Sequence, residues 1–445
     1  MITAQDVDGA LRTGARIPPW AAEDFGHTVS RPPLAVLTPG SIRDVREVLL
    51  AAGAHGIPVA ARGGGHSLHG QGQAAGGYVI DMRGLDRVLR VTEDAVTVEA
   101  GALWSEVVAA TLPLGRTPPV LTDYLGTSVG GTLSVGGIGG MSHQHGLQTD
   151  GVLALDVVTG AGEEVRCSPE HRPELFDAVR GGLSQCAVIV RATLRLVPAP
   201  SRVRRHQLRY PHLAPFLADQ RRLARDRRFD YLEGQPEAAA DGGWRFMLEA
   251  VAYDSAGPAE DRRLLADLAH ERGTEEVEEL GYGEFLHRMA PGEELLRSTG
   301  EWFHPHPWLN LFLPGDRAEE IVTDTLAGLS GADLGPSGLA LLYPVPTALL
   351  RTPLVRRPPG ELMYLFALLR TAPDGDPETR DRLIAANRAV YELARARGAV
   401  AYPVNNLPMS AADWRTHFGA AWEELTQAKR RYDPRSVLTP GHGLC

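Results

Sequence analysis

The sequence is poor in cysteine and lacks long apolar runs, and each absence excludes a class of protein. Cys167, Cys186 and Cys445 show no CxxC spacing, so neither a disulfide framework nor a zinc site is expected. No stretch approaches the roughly 20 apolar residues that span a bilayer. The N-terminus lacks a basic start followed by an apolar core. We therefore expect a cytoplasmic protein without a membrane partner.

Basic clusters are also missing. The formal net charge is -10 and the arginines are scattered, which argues against a nucleic-acid partner. The segments RRHQLRY and RRLARDRR come nearest to basic patches and are typical of solvated surfaces. A chain of 445 residues with 43% hydrophobic and 22% charged residues is typical of a large globular enzyme. Its oligomeric state is left open.

The order of apolar runs predicts an α+β fold. Residues 33–59 predict strand, helix and strand, and the short runs YVIDM, VLRVT and AVTVEAG precede a helix from about Leu103. LALDVVTGAGEEVRC predicts a hairpin. CAVIVRATLRLVPAP predicts a buried strand pair that ends in a linker near Pro198 and Pro200.

The second half alternates arginine-rich helices with apolar strands between residues 201 and 400. The segment from Asp413 onward predicts one helix that ends at Asp433, because proline disfavours helix at the residue before it. An extended tail follows that helix.

Two glycine-rich segments could carry chemistry. RGGGHSLHGQ, which starts at Arg62, follows an apolar strand, and consecutive glycines let backbone amides point at phosphate oxygens. It is not a GxGxxG fingerprint, and a tight turn beside a surface histidine would show the same pattern. VGGTLSVGGIGGMSHQHG forms the second segment. Two such loops are costly in chain entropy unless a ligand fixes them, which favours one extended cofactor.

The chain resembles the cytokinin dehydrogenases of the vanillyl-alcohol-oxidase-like (PCMH-type) superfamily, whose relatives include berberine-bridge-type oxidases. The resemblance rests on both glycine segments and on ELFDAVRGGLSQCAVIVRATLRLVPAP, HPHPWLNLFLP and YDPRSVLTPG. It runs from about residue 30 to 445 and thins between about 200 and 300. It implies a two-part FAD-binding domain, residues 1–198 and 405–445, around a central α+β substrate (cap) domain, residues 199–404.

The resemblance implies that His66 forms an 8α-histidyl bond to FAD, whereas His69 is a local loop residue. Berberine-bridge relatives often add a cysteine link in the second loop, but this sequence has no cysteine there, which favours a single attachment. The residues expected to bind FAD are Arg62, Gly63, Gly64, Gly65, His66, Ser67, Gln71, Thr122, Asp123, Thr127, Gly130, Gly131, Ser134, Gly137, Ile138, Val188, Ile189, Asn310 and Asn405.

The resemblance also supplies catalytic candidates. Asp123 matches the aspartate that accepts a hydrogen bond from the substrate amine, and hydride transfer to flavin is easier when that nitrogen loses its proton to a positioned carboxylate. A turn or cap residue would look the same. Glu293 is the second catalytic candidate, but the local match is loose by one residue, so Glu294 is an alternative. Either could also be an exposed helix glutamate.

Other features are weaker. His143 and His145 would share one face of a strand, as metal ligands can, but no acidic or cysteine partner is nearby in sequence, and we expect no metal. Pro346 stands where plant members have asparagine, and the segment around Asn405 and Asn406 departs from their Tyr-Leu-Pro pattern. The substrate side has therefore diverged.

These features predict FAD-dependent oxidation of a CH–NH group in a small-molecule amine, with oxygen or a quinone as electron acceptor. An alternative is an alcohol oxidation or ring-forming step of the berberine-bridge type. A flavin-binding protein without catalysis is a third possibility. Asp123 argues against it, because a carrier needs no base.

Overall fold

The computed structural model describes residues 2–444 and confirms the α+β fold class. The first part of the chain contains these elements in order: β1 Ala10–Thr13, β2 Ala35–Thr38, α1 Ile42–His55, β3 Val59–Arg62, β4 Tyr78–Asp81, β5 Val88–Val91, β6 Ala95–Glu99, α2 Trp104–Thr111, β7 Arg116–Thr117, α3 Val129–Leu133, α4 Ser142–His145, β8 Val152–Thr159, β9 Glu164–Cys167, α5 Pro173–Val179, β10 Ala187–Arg195 and β11 Val197–Pro198.

Two sheets organise this part. A four-stranded sheet has the order β1-β2-β4-β3, with β2, β4 and β3 parallel and β1 antiparallel. An antiparallel sheet has the order β5-β6-β10-β8-β9. The strands β8 and β10 are apolar over most of their length because they lie centrally and are largely buried. The predicted hairpin is confirmed as β8 and β9.

The predicted strand pair in CAVIVRATLRLVPAP is wrong. The segment forms the single strand β10, and the two-residue strand β11 pairs with β7 instead. Residues 187–195 contain no glycine or proline to reverse the chain, so the apolar run continues as one strand.

The central part contains β12 Arg202–Tyr210, α6 Leu213–Asp226, β13 Tyr231–Ala238, β14 Trp244–Tyr253, α7 Pro258–Leu265, β15 Glu276–Gly281, α8 Tyr282–Leu286, α9 Ala290–Thr299, β16 Leu309–Pro314, α10 Ala318–Ala327, β17 Leu339–Pro346, β18 Leu362–Leu369, α11 Pro377–Arg395 and β19 Val400–Ala401. Antiparallel sheets have the orders β13-β14-β12-β15 and β17-β18-β16-β19. They meet where β13 approaches β17. There a Cβ on Gly234 would lie 2.3 Å from the Leu342 carbonyl oxygen, so glycine permits the contact.

The C-terminal segment forms two helices, α12 Ala411–Phe418 and α13 Ala421–Tyr432, where one helix was predicted. Gly419 separates them with φ +52° and ψ -123°, a conformation outside the helical region. The predicted end before Asp433 is confirmed.

The tail then returns to β3, the strand that leads into the first glycine segment. The Val59 amide donates to the Val437 carbonyl at 2.7 Å, and the Thr439 amide donates to the Val59 carbonyl at 2.7 Å. Lys429 Nζ donates to Asp433 Oδ2 at 2.9 Å in a buried ion pair. The tail therefore packs against the first part of the chain, while the exact domain limits stay a prediction.

Within residues 2–444, none of the helices combines the length and the apolarity that crossing a bilayer requires.

Candidate cofactor and active site

The two glycine loops are in contact. A Cβ on Gly63 would lie 1.8 Å from Ser128 Oγ, and one on Gly64 would lie 3.1 Å from the Gly126 carbonyl oxygen. Gly65 has φ +79°, a conformation that favours glycine. Only glycine lets the loop after β3 lie this close to the loop before α3, and the two form one continuous backbone surface.

His66 lies at this junction within a set of aromatic rings. Its ring centroid is 4.9 Å from that of Phe25, 4.8 Å from Tyr124 and 6.1 Å from Trp302. Burial, together with the positive charges of Arg62 and Arg297, lowers the pKa of His66 to about 4. The imidazole is therefore neutral near pH 7, and a ring nitrogen keeps its lone pair.

Buried polar groups hold the His66 loop in place. Asp24 Oδ2 accepts hydrogen bonds from Ser67 Oγ at 3.0 Å and from the Gly70 amide at 2.5 Å. Gln71 Oε1 accepts from the Leu68 and His69 amides at 3.1 and 2.8 Å. These bonds fix the part of the loop that follows His66.

His69 is a loop residue, as expected. Its Nδ1 lies 3.1 Å from Asn406 Oδ1, and Asn406 Nδ2 donates to the Leu68 carbonyl at 2.8 Å. Asn406 thus connects the C-terminal segment to the loop, a structural role that the sequence did not reveal.

An unsatisfied polar group lies beside the second loop. Both side-chain atoms of Gln148, Oε1 and Nε2, are buried without a hydrogen-bond partner within residues 2–444. A Cβ on Gly137 would lie 2.0 Å from Gln148 Oε1. The Gly137 amide donates to Tyr402 Oη at 3.0 Å. A buried amide without partners is costly, so this position could accommodate a polar ligand group.

Three further residues that were predicted to bind FAD donate hydrogen bonds to nearby backbone carbonyls. Ser134 Oγ donates to the Gly130 carbonyl at 2.7 Å, and Thr122 Oγ1 donates to the Tyr124 carbonyl at 2.9 Å. Thr127 Oγ1 also donates to that carbonyl, at 3.3 Å. These bonds fix the path of the loop that presents Asp123.

Asp123 is bound by two side chains from the central part of the chain. Its Oδ1 accepts from Arg288 Nη2 and from Tyr231 Oη, each at 2.7 Å. Arg288 Nη2 also donates to Tyr231 Oη at 2.6 Å, and its Nε lies 3.4 Å from Glu249 Oε1. Burial opposes the charge on Arg288, but the acidic groups around it outweigh burial and raise its pKa.

Of the two glutamate candidates, only Glu293 joins this site. Glu293 Oε1 accepts from Tyr124 Oη at 3.0 Å and from Arg297 Nε at 2.8 Å. The Arg297 guanidinium stacks 4.5 Å from the Trp302 ring centroid. Glu294 is exposed on α9. Tyr124, which contacts His66, therefore connects the first loop to Glu293.

Four residues that were predicted to bind FAD are buried or bonded within the protein. Val188 and Ile189 are buried in β10, and Ile138 is buried near Tyr343 and Tyr402. Asn310 Nδ2 donates to the Val404 carbonyl. Their roles toward a cofactor stay predictions.

The Asn405 side chain also makes hydrogen bonds to nearby backbone groups. Its Nδ2 donates to the Tyr402 carbonyl at 2.6 Å, and its Oδ1 accepts from the Leu407 amide at 3.1 Å. The side chain stabilises its own turn.

The geometry assumed for His143 and His145 is wrong, because both lie in the short helix α4 rather than on a strand. His143 Nδ1 and Nε2 lie 2.8 and 2.9 Å from the Gly140 and Phe229 carbonyl oxygens. Over residues 2–444, no group of three or more potential ligand side chains could hold a metal.

Sequence reasoning missed Tyr231, Glu233, Glu249 and Arg288. They lie between 108 and 165 positions from Asp123 in sequence. Tyr231 and Glu233 are two apart on β13 and so share a face, which is a weak signal. Arg288 carries no local signal.

Comparisons with known proteins show which family the chain resembles. The family model described as "Cytokinin dehydrogenase 1, FAD and cytokinin binding" matches residues 237–445, and "FAD binding domain" matches residues 33–168. An "Uncharacterized oxidoreductase ORF5 in fasciation locus" of Rhodococcoides fascians is 47% identical over 425 residues, which cover 95% of this chain and 96% of that protein.

Cytokinin dehydrogenase 10 of Oryza sativa subsp. japonica is 37% identical over 497 residues, covering 100% of this chain and 90% of that protein. The crystal structure of 6-hydroxy-D-nicotine oxidase from Arthrobacter nicotinovorans matches with a TM-score of 0.73 at 20% identity, over 98% of both chains. That likeness shows the fold. The chain belongs to the cytokinin dehydrogenase family of FAD-binding oxidoreductases.

Proposed function

We propose that this protein oxidises a CH–NH group of a small-molecule amine to an imine, using FAD attached to His66. The observation that carries the proposal is the contact between the two loops, which brings a neutral imidazole and the Asp123 loop to one surface. Bound FAD would accept the hydride that leaves the substrate carbon.

The residues present fit this cofactor. The amides of the first loop, at Gly63, Gly64 and Gly65, would bind the phosphates, as glycine-rich loops do. The unsatisfied amide of Gln148 beside the second loop supports a ligand there, because a polar ligand group would remove the cost of burying it.

The neutral state of His66 supports the covalent link, since a ring nitrogen must keep its lone pair to form the bond. Within residues 2–444, the positions of the cysteines do not support a second link. Cys167 and Cys186 are buried in the core of the first part of the chain.

Asp123 would accept the substrate N–H proton. Both of its hydrogen bonds to Arg288 and Tyr231 involve Oδ1. Within residues 2–444 they leave Oδ2 free of hydrogen bonds to protein. Oxygen or a quinone would be the final electron acceptor.

Acid denaturation tests the covalent link. Flavin colour should stay with the denatured wild-type polypeptide and be lost in His66→Ala, whereas His69→Ala should keep it. Flavin released from the wild type would contradict the proposal.

Anaerobic mixing tests the reaction. Because the relatives are named for cytokinins, a panel should start with these amines and include alcohols. Bleaching of oxidised flavin by amines and not by alcohols is expected. Bleaching by alcohols alone would instead favour the berberine-bridge type of reaction.

A further inference from the structure

Tyr231 Oη has one proton to donate but two carboxyl groups within hydrogen-bond distance. It lies 2.7 Å from Asp123 Oδ1, 2.6 Å from Arg288 Nη2 and within hydrogen-bond distance of the Glu233 carboxylate. A hydroxyl donates once. If both carboxyls were ionised, one of them would face a lone pair of Tyr231. The geometry therefore requires a proton on Asp123 or on Glu233.

Asp123 is the ionised partner. It accepts a charge-assisted hydrogen bond from Arg288 at 2.7 Å, and its side chain is 24% exposed. Glu233 is only 6% exposed. Within residues 2–444 its one hydrogen-bond partner is Tyr231. Burying an unpaired carboxylate is costly, so the proton belongs on Glu233.

The sheet register also favours the proton on Glu233. Glu233 lies directly opposite Glu249 on β14, where like charges are destabilising. Glu249 is already paired with Arg205, whose Nε and Nη2 lie 2.9 and 2.6 Å from its Oε2. Burial, followed by the charges of Asp123 and Glu249, raises the pKa of Glu233 well above its usual range.

The buried charges around Asp123 sum to zero when one carboxyl carries a proton. Three carboxylates, Asp123, Glu233 and Glu249, face two arginines, Arg205 and Arg288. Arg205 also lies 3.5 Å from Glu278, an exposed carboxylate outside this buried group. Tyr343 on β17 is a further titratable neighbour, and burial, Asp123 and Glu233 raise its pKa. One proton on Glu233 makes the buried cluster neutral.

We propose that Glu233 carries a proton at neutral pH and donates a hydrogen bond through it to Tyr231 Oη, so that Tyr231 and Arg288 together hold Asp123 as an ionised, oriented base. Tyr231, Glu233 and Arg288 are positioning residues. The inference depends on the proposed function only for the role of Asp123 as the base.

Infrared spectroscopy of the flavin-loaded protein at neutral pH tests the proton directly. The difference spectrum between the wild type and Glu233→Gln should contain the carbonyl band of a protonated carboxylic acid, and that band should shift in D2O. The control Glu237→Gln, on the same strand but paired with Arg209 away from Asp123, should keep the band. Absence of the band from the wild type, or its persistence in Glu233→Gln, would overturn the proposal.

Kinetics test the positioning role. Glutamine donates a hydrogen bond as a protonated glutamate does, so Glu233→Gln should reduce flavin within about threefold of the wild-type rate. Tyr231→Phe and Glu233→Leu should be slower by roughly tenfold to a hundredfold, with bound flavin unchanged. If Glu233→Gln is as slow as Tyr231→Phe, the neutral state is wrong.

The two proposals fail separately. Full activity of Asp123→Asn would reject Asp123 as the base while the infrared band of Glu233 remained. Loss of that band would reject the proton on Glu233 while amine oxidation remained.

Discussion

The two walls of the candidate site are formed by different chemical groups. The cofactor wall, residues 62–72 and 122–137, is mostly backbone, with glycines in close contact and a neutral histidine. The opposite wall, the charged cluster of Tyr231, Glu233, Glu249 and Arg288, consists of side chains that bond to Asp123 or to one another. Asp123 belongs to the first wall by sequence and to the second by contact.

This difference predicts different sensitivities. A backbone surface in close contact tolerates little added volume, whereas a charged cluster tolerates small changes of shape but not the loss of a charge or a donor. Substitutions on the cofactor wall should therefore affect folding and flavin binding. Substitutions in the charged cluster should affect the rate of reaction.

The largest effect is expected for Asp123→Asn. Loss of the base should slow anaerobic flavin reduction by about 10²- to 10⁴-fold, measured by stopped-flow absorbance with an active amine. Flavin content should equal that of the wild type, because the glycine loops are unchanged. Loss of flavin together with activity would show that the two walls are not separable.

Gly63→Ala should show the volume limit of the cofactor wall. Its Cβ would lie 1.8 Å from Ser128 Oγ, and overpacking of this kind costs about 1–3 kcal/mol, measurable by denaturant unfolding. Gly72→Ala is the matched control in the same loop, since its nearest neighbour is 3.5 Å away. The double variant Gly63→Ala/Ser128→Gly should recover stability. No recovery would mean that backbone conformation, rather than volume, limits the loop.

The cofactor wall is also the part of the candidate site that has a local signal in the sequence. Its features are local: an apolar strand, consecutive glycines and a histidine within ten residues, Arg62 to Gln71. Alternation and turn residues similarly predicted the β8–β9 hairpin. Local prediction failed where one residue decided the outcome, as at Gly419, which divides the C-terminal helix in two.

The charged cluster could not be predicted, because it depends on the register of four strands and on a turn after α8. Nothing near Arg288 in sequence indicates that it reaches Asp123, 165 positions away. Asn310 and Asn405 show the converse. Their amides bond to nearby backbone groups, which only the fold reveals, while their role toward a cofactor stays a prediction.

Asp24 provides a pH test of the cofactor wall, because it anchors the His66 loop. Burial raises the pKa of Asp24 to about 6 from 3.8. The folded state therefore favours the protonated form, and stability should fall as pH rises from about 4 to about 6.

Asp24→Asn should remove this fall. Above pH 6 it should be more stable than the wild type by about 3 kcal/mol, and below pH 4 the two should be equal. Urea unfolding across this range measures the difference. Glu23→Gln, at the adjacent exposed position, should keep the wild-type slope. A constant difference between Asp24→Asn and the wild type at every pH would rule out titration of Asp24 as the cause.

The smallest effect is expected at Glu293, on the rim of the charged cluster. Helix α9 has no buried residue, and Glu293 is connected to the site through Tyr124, whose pKa burial and Glu293 raise to about 12. The partly buried hydrogen bond between Tyr124 and Glu293 contributes modestly, so Glu293→Gln should raise KM by about three- to tenfold with little change in kcat. Glu294→Gln, the neighbouring exposed glutamate, should match the wild type. Equal effects of the two substitutions would place Glu293 outside the site, and a loss of kcat would move it from the rim to the reacting centre.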